Sequence, residues 1–313
     1  MNKILIAGGA GFIGSHLSRY FLGLMSEVWV IDNLVTGSRT NVADLDNNPN
    51  FHFVEADIAD YDYSALPQFD IVYDLASPAS PILFEKIPLE ILKTNSFGLM
   101  KLLDFVKKSH SKTMVFASTS EVYGDPQVSP QPENYFGNVN SYGPRACYDE
   151  GKRFAEATIY SYISKYDLDI RIARIFNTYG PNMNKADGRV ISNFINQALE
   201  NKPLTVYGDG TQTRSCCYVS DMVHGFYLLG TKENLKGNVI NLGNPDERTI
   251  VDIAKLIKKL VKSDSKISFL PIGEDDPKRR CPDITKARQL LDWSPKINLE
   301  SGLEKTISYF KSL

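Results

Sequence analysis

The sequence predicts an α/β fold built on a doubly wound parallel sheet, with a smaller C-terminal region. Three observations carry that expectation. Short apolar, β-branched runs recur through the first half of the chain, amphipathic segments of helical length separate most of them, and the runs are too apolar for a sheet with one wet face. At 313 residues the chain can bury a large core, in one large domain or in a large and a small one.

The expected strands, in order, are KILIAG (3–8), EVWVID (27–32), FHFVEAD (51–57), DIVYDLA (70–76), TMVFAS (113–118) and DIRIARI (169–175). The segment IGSHLSRYFLGLM after the first strand has helical amphipathicity, and further helices are expected over 96–108 and 148–165. After about residue 178 the rhythm changes. YGPNMNKADGRV, NKPLTVYGDGTQTR and LPIGEDDPKRRCPD put turn-forming Gly, Pro, Asn and Asp between shorter elements, while NVINLG (238–243) is a candidate to return to the main sheet. No internal repeat or low-complexity tract interrupts the chain.

A formal net charge of −2, from 35 basic and 37 acidic residues, gives no general attraction to nucleic acid or to an anionic membrane. Small molecules or other protein chains are the expected partners. The cysteines at 147, 216, 217 and 281 have neither CxxC spacing nor a disulfide-like framework, which fits a reducing, cytoplasmic compartment. No membrane span or signal peptide is expected from the hydropathy, and the four scattered histidines give no metal site.

In GGAGFIG, Gly8, Gly11 and Gly14 stand at GxxGxxG spacing between the first strand and the first helix. Glycine permits a tight turn, close approach of backbone to a pyrophosphate and close packing of helix on strand, and the helix N-terminus offers N–H groups to the anion. A glycine-rich turn alone is a weak signal. Asp32, at the end of the second strand and 18 residues past Gly14, strengthens it. Its carboxylate is placed to accept from an adenosine ribose and would repel a 2′-phosphate, so a Rossmann-type fold with NAD, in preference to NADP, is expected. Asp57, ending the third strand, is either an adenine-side contact or a solvated strand-end carboxylate.

Tyr148 and Lys152 are four residues apart and share a helix face. A lysine beside a phenol favours the phenolate and lets tyrosine act as a general base. With 16 tyrosines in the chain, that spacing also arises by chance. Context has to carry it, and the context here is a nucleotide fold upstream and a Ser/Thr-rich strand end at 117–121.

Taken together, GGAGFIG, STSEVYGDP, YDEGKR, RIFNTYGP and DGRV resemble the extended short-chain dehydrogenase/reductase superfamily, the nucleotide-sugar epimerases and dehydratases, over nearly the whole chain. Longer runs, LASPASP (75–81), GPRACYDEGKR (143–153), PLTVYGDGTQTR (203–214) and DDPKRRCPDI (275–284), are similar to its UDP-glucuronate decarboxylase branch. The resemblance implies NAD as a recycled cofactor bound by a domain over 1–178, and a UDP-sugar held mainly by 179–313. Oxidation at C4 makes a ketone β to the C6 carboxylate; carbon dioxide leaves, C5 is protonated and the hydride returns.

On this resemblance Tyr148 is the base at O4, aided by Lys152, and Thr119 bonds near O4. Glu121 steers the carboxylate or a water, delivers a proton at C5, or is simply a strand-end Glu bonded to a loop. Ser120 matters for reaction type. Related 4,6-dehydratases carry Asp-Glu where this chain has Ser120-Glu121, and a serine hydroxyl is too weak an acid to expel the C6 hydroxyl. A 4-epimerase needs no carboxylate at Glu121. Epimerase or dehydratase activity and a non-catalytic nucleotide-sensing role remain the alternatives, the last disfavoured by the intact Thr119, Tyr148 and Lys152 set.

The implied cofactor contacts are Gly8, Gly11, Phe12, Ile13, Gly14, Asp32, Asn33, Gly37, Asp57, Ile58, Leu75, Ala76, Ser77, Thr94, Tyr148, Lys152, Thr178 and Arg189. For the substrate, Arg214 and Arg280 match arginines used on the diphosphate or sugar, and Asn177 a substrate-contacting Asn, with Ser120 beside them. Tyr207 either packs near uracil or fills the core. Lys278 and Arg279 are read as solvated charges. One departure is visible: Asp74 stands where relatives usually have His. The resemblance also implies a homodimer through a four-helix bundle, with Leu99, Leu102, Leu103 and Val106 as an apolar stripe that could equally be internal core.

Overall fold

The computed structural model describes residues 1–271 and 279–313. Residues 275–278 of the DDPKRRCPDI run, Lys278 included, lie outside the described residues. In chain order the elements are β1 (Lys3–Ala7), α1 (Phe12–Gly23), β2 (Glu27–Asp32), β3 (Phe51–Glu55), β4 (Ile71–Asp74), α2 (Pro81–Lys86), α3 (Pro88–Lys93), α4 (Leu99–Ser109), β5 (Thr113–Thr119), α5 (Ala146–Tyr166) and β6 (Ile170–Ile175). Then follow β7 (Thr178–Tyr179), α6 (Val190–Leu199), β8 (Leu204–Tyr207), β9 (Thr213–Ser215), β10 (Cys217–Tyr218), α7 (Val219–Thr231), β11 (Val239–Leu242) and β12 (Glu247–Thr249). The last are α8 (Ile250–Val261), β13 (Ile267–Leu270), β14 (Arg279–Arg280), α9 (Thr285–Leu291) and α10 (Leu299–Ser312).

Seven strands form one sheet in the order β11-β6-β5-β4-β1-β2-β3, every neighbouring pair parallel. Fully buried strands such as Ile4, Leu5, Ile6 and Ala7 require cover on both faces, and the helices supply it. From β1 the chain winds outward to β2 and β3, then returns to β4 on the other side of β1 and winds the opposite way. That reversal opens a crevice at the carboxyl ends of β1 and β4, where ligands bind in such sheets. Gly8 makes the crevice narrow at its floor: it has φ +78°, and a Cβ there would sit 2.7 Å from the Leu75 carbonyl.

One face of the sheet packs Leu17 and Phe21 of α1 and Met222 and Phe226 of α7 into a core that continues into the smaller region through α6, α8 and α10. The other face packs Leu102 and Val106 of α4 and Ala155 and Ile159 of α5 against Val72, Met114 and Phe116. β11 lies beside β6, so the main sheet is completed by chain that follows the first part of the smaller region. Among the described residues, no helix is long and apolar enough to cross a membrane.

The stripe on α4 is internal. Leu99, Leu102 and Leu103 are 0% exposed and Val106 is 2% exposed within this single chain. Periodicity alone does not distinguish such a face from an interface, because both are apolar at helical spacing. Phe97 just before α4, Met100 of α4, and Phe154 and Tyr160 of α5 are exposed. Leu102→Ala is therefore expected to lower unfolding free energy by about 2–5 kcal/mol. Urea denaturation checks it; a variant as stable as the parent would place Leu102 outside the core.

Candidate active site at the sheet reversal

A cavity of about 890 Å³ runs from the first turn of α1, over the ends of β2, β4 and β5, to the smaller region at β8 and β9. At the α1 end it is lined by Gly8, Gly11, Phe12, Ile13 and Gly14. Gly14 carries the packing constraint: a Cβ would lie 2.2 Å from the Gly8 carbonyl oxygen. The N-cap of α1 is Gly11, no side chain caps the helix, and its first turn has no acidic residue. Those features fit the pyrophosphate of a dinucleotide, whose negative charge the open helix end favours.

Asp32, at the end of β2, is 7% exposed and lines the same cavity. Its carboxylate accepts from Ala10 N at 2.9 Å and Leu34 N at 2.9 Å. Burial raises its carboxyl above the usual range, with these backbone bonds opposing the rise. Gly37 lies outside the lining; a Cβ there would sit 2.8 Å from Asp32 Oδ1, so its smallness makes room for the carboxylate. Asn33, Asp57 and Ile58 also line the cavity, and Asn33 Nδ2 donates to Asp57 Oδ2 at 2.9 Å. Leu75, Ala76, Ser77, Thr94, Thr178 and Arg189 line the middle. Two are fixed by neighbours: Ser77 Oγ accepts from Asn95 Nδ2 at 2.9 Å, and Arg189 Nε lies 3.3 Å from Asp187.

Thr119 ends β5, and Tyr148 and Lys152 ride on the first two turns of α5, so the strand end and the helix face bring all three to the cavity wall. Thr119 Oγ1 accepts from Glu121 N at 3.2 Å, and its hydroxyl faces the Tyr148 phenol. Phe84 stacks on the Tyr148 ring with centroids 5.1 Å apart. Burial pushes the Tyr148 phenol up to about 12, opposed by the Thr119 hydroxyl and the Arg189 charge. Lys152 donates to Ala117 O at 2.9 Å, and burial lowers its ammonium to about 8. The sequence assigned the lowering of the phenol to Lys152. Here burial leaves the phenol raised, Thr119 and Arg189 oppose that rise, and the Lys152 ammonium donates to the strand carbonyl.

Glu121 is the centre of a buried charge cluster. Its Oε2 accepts from Arg145 Nη2 at 2.6 Å and Arg280 Nη2 at 2.7 Å. Burial would raise its carboxyl, but the charges of Arg280 and Arg145 outweigh it and hold the group at about 2. Asp149, on the next turn of α5, has Oδ2 3.7 Å from Arg145 Nε. Burial and then the Glu121 charge push Asp149 up to about 7. Two acids therefore share one pair of arginines, and Glu121 keeps the negative charge.

Arg280 is held inside this cluster. Arg280 lines the cavity but is 2% exposed, with Nη1 on Gly124 O at 2.5 Å and Nη2 on Glu121. Both terminal nitrogens of its guanidinium are taken by the protein, while Nε has no hydrogen-bond partner among the described residues. Arg214 and Asn177 line the cavity, as does Ser120, which is 2% exposed. Tyr207 lines it at 49% exposure, so it does not fill the core. Arg145 was missed. Its place three residues before Tyr148, with an acid four residues on at Asp149, was the available signal. Phe84 carried no signal in sequence.

Residues 4–243 match the model of the NAD dependent epimerase/dehydratase family. The chain is 50% identical over 308 residues to UDP-glucuronic acid decarboxylase 1 of Danio rerio, covering 98% of this chain and 72% of that one. It is 48% identical over 302 residues to UDP-glucuronic acid decarboxylase 5 of Arabidopsis thaliana, covering 96% and 87%. The crystal structure of UDP-glucuronic acid 4-epimerase from Bacillus cereus, in complex with UDP-glucuronic acid and NAD, aligns with a TM-score of 0.91 at 33% identity over 99% of both chains.

Glu121→Gln removes one partner of a buried ion cluster and leaves two arginines facing each other. Stability is expected to fall by about 3–5 kcal/mol, read by chemical denaturation at neutral pH. An unchanged unfolding midpoint would contradict the cluster as described.

Proposed function

The chain belongs to the NAD dependent epimerase/dehydratase family, and we propose that within it this protein is a UDP-glucuronate decarboxylase that forms UDP-xylose. The observation that carries the reading is Glu121, fixed as an anion between Arg145 and Arg280 beside Ser120, Thr119 and Tyr148. A dehydratase needs a proton donor to expel the C6 hydroxyl. Here Ser120 is no such acid and Glu121 holds no proton at neutral pH.

When bound, NAD supplies the acceptor for the C4 hydride and the same hydride for the final reduction. Tyr148 takes the O4 proton, with the Thr119 hydroxyl and the Arg189 charge stabilising the phenolate. The resulting C4 ketone accepts the electron pair of the C5–C6 bond as that bond breaks, giving an enolate and carbon dioxide. A proton adds at C5, the ketone is restored, and Tyr148 returns its proton to O4. In sum, one substrate and one proton give UDP-xylose and carbon dioxide. Because Glu121 is held anionic, we assign it to orienting Arg145 and Arg280 at the sugar's acidic end, and the C5 proton to water. Arg214, Asn177 and Tyr207 are assigned to the nucleotide side, within a sugar-nucleotide region formed mainly by 179–313.

We assign the protein to the cytoplasm on its four unpaired thiols, and to a homodimer. Supporting the dimer, α4 and α5 pack together, and Phe97, Met100, Phe154 and Tyr160 on or beside them are exposed. Light scattering is expected to give twice the 35.1 kDa chain mass; a monomer at all working concentrations refutes the assembly.

Incubation with UDP-glucuronate and NAD+ is expected to yield a product lighter by carbon dioxide in mass spectrometry. An isomer of unchanged mass would establish a 4-epimerase, and loss of water a dehydratase. Tyr148→Phe should fold normally and lose activity by at least about a hundredfold; undiminished turnover would remove Tyr148 as the base.

A further inference from the structure

Asp74 has no part in the mechanism above, yet it is a carboxylate 2% exposed at the end of β4. In the sheet register it stands opposite Phe116 of β5. Paired residues of parallel strands direct their side chains to the same face. Phe116 belongs to the core between the sheet and α4 and α5, and Lys152 Nζ sits 4.6 Å over its ring while donating to Ala117 O. Asp74 and the Lys152 ammonium therefore lie over one patch of sheet, both removed from water and not in direct ion-pair contact.

We propose that Asp74 is a positioning residue, the buried counter-charge that keeps the Lys152 ammonium charged and docked at the end of β5. A carboxylate in such a place is costly unless a cation accompanies it. It accepts a hydrogen bond from Ala76 N at 3.1 Å, which satisfies one oxygen without neutralising the charge. Lys152 is the cation whose field acts on it.

The groups facing this pair come from three elements. From α5, Glu156 also acts on Lys152, but it is engaged by Arg174 at 2.7 Å and by Ser118 Oγ at 2.5 Å, and Tyr148 lies one turn before. From the turn at Tyr63–Ala65, the Tyr63 phenol faces Asp74 and is raised mainly by its own burial. From β4 there is Asp74 itself. Burial raises Asp74 to about 6 and lowers Lys152 to about 8, and each opposes the other's shift. Of the two carboxylates acting on Lys152, Asp74 has the larger effect. Removing it leaves burial less opposed, so the ammonium would lose its proton at lower pH.

The role of Lys152 in turnover rests on the decarboxylase reading, so the test has two readouts. The first is the pH profile of kcat/KM with UDP-glucuronate; the second is the pH dependence of NADH binding by fluorescence, which needs no sugar. Asp74→Asn is expected to move the alkaline limb of both to lower pH by about one unit or more. Asp74→His, neutral at that limb, should do the same and serves if the Asn variant does not fold. Asp74→Glu keeps the charge and should leave the limb near its parent position. A limb unmoved in the neutral variants, or moved equally by Glu, overturns the proposal. If the parent enzyme does not turn over UDP-glucuronate, the decarboxylase reading fails, and the NADH profiles still decide the role of Asp74.

Discussion

The ion cluster at Glu121 is the interaction on which the site depends. Glu121 follows the end of β5, Arg145 leads into α5, and Arg280 lies on β14 in the smaller region. One carboxylate thus joins the central sheet, the helix carrying Tyr148 and Lys152, and the far wall of the cavity. Each guanidinium needs an acceptor in a place with little water, and the carboxylate needs donors. Neither requirement is met unless all three elements are in register.

The cluster also fixes the chemistry available. An anion at Glu121 cannot protonate a leaving hydroxyl, and on the proposed reading the two arginines beside it give this end of the cavity a positive bias suited to an acidic sugar. On the proposed reading Tyr148, buried next to this charge, is the group whose proton moves; Thr119 and Arg189 oppose the rise that burial imposes on its phenol. Sequence pointed to Tyr148 and Lys152 by spacing. Their division of labour follows from the Ala117 carbonyl, which takes the lysine.

Local signals made much of this readable in advance. The six apolar runs became strands because burial on both faces leaves a continuous apolar pattern. The turn from Gly8 to Gly14 and Asp32 were legible because each solves a local steric or electrostatic problem. Arg280 and Glu121 were seen separately, but their pairing spans 159 residues and leaves no periodic trace. The Leu99 to Val106 stripe was ambiguous for a different reason: core and interface ask the same of a helix. Asp74 stood out only as a departure from the His usual in relatives, and its place opposite Phe116 appeared once β4 and β5 were in register.

The most direct test of the central claim is the protonation state of Glu121 in the intact protein. Carboxyl-13C glutamate labelling, with the Glu121→Gln variant identifying the signal, follows it by NMR from pH 8 downward. The account predicts a carboxylate resonance unchanged to about pH 4, because the group is held at about 2. A carboxyl that takes up its proton between about pH 5 and 7 would contradict it, and would restore Glu121 as an acid in the reaction.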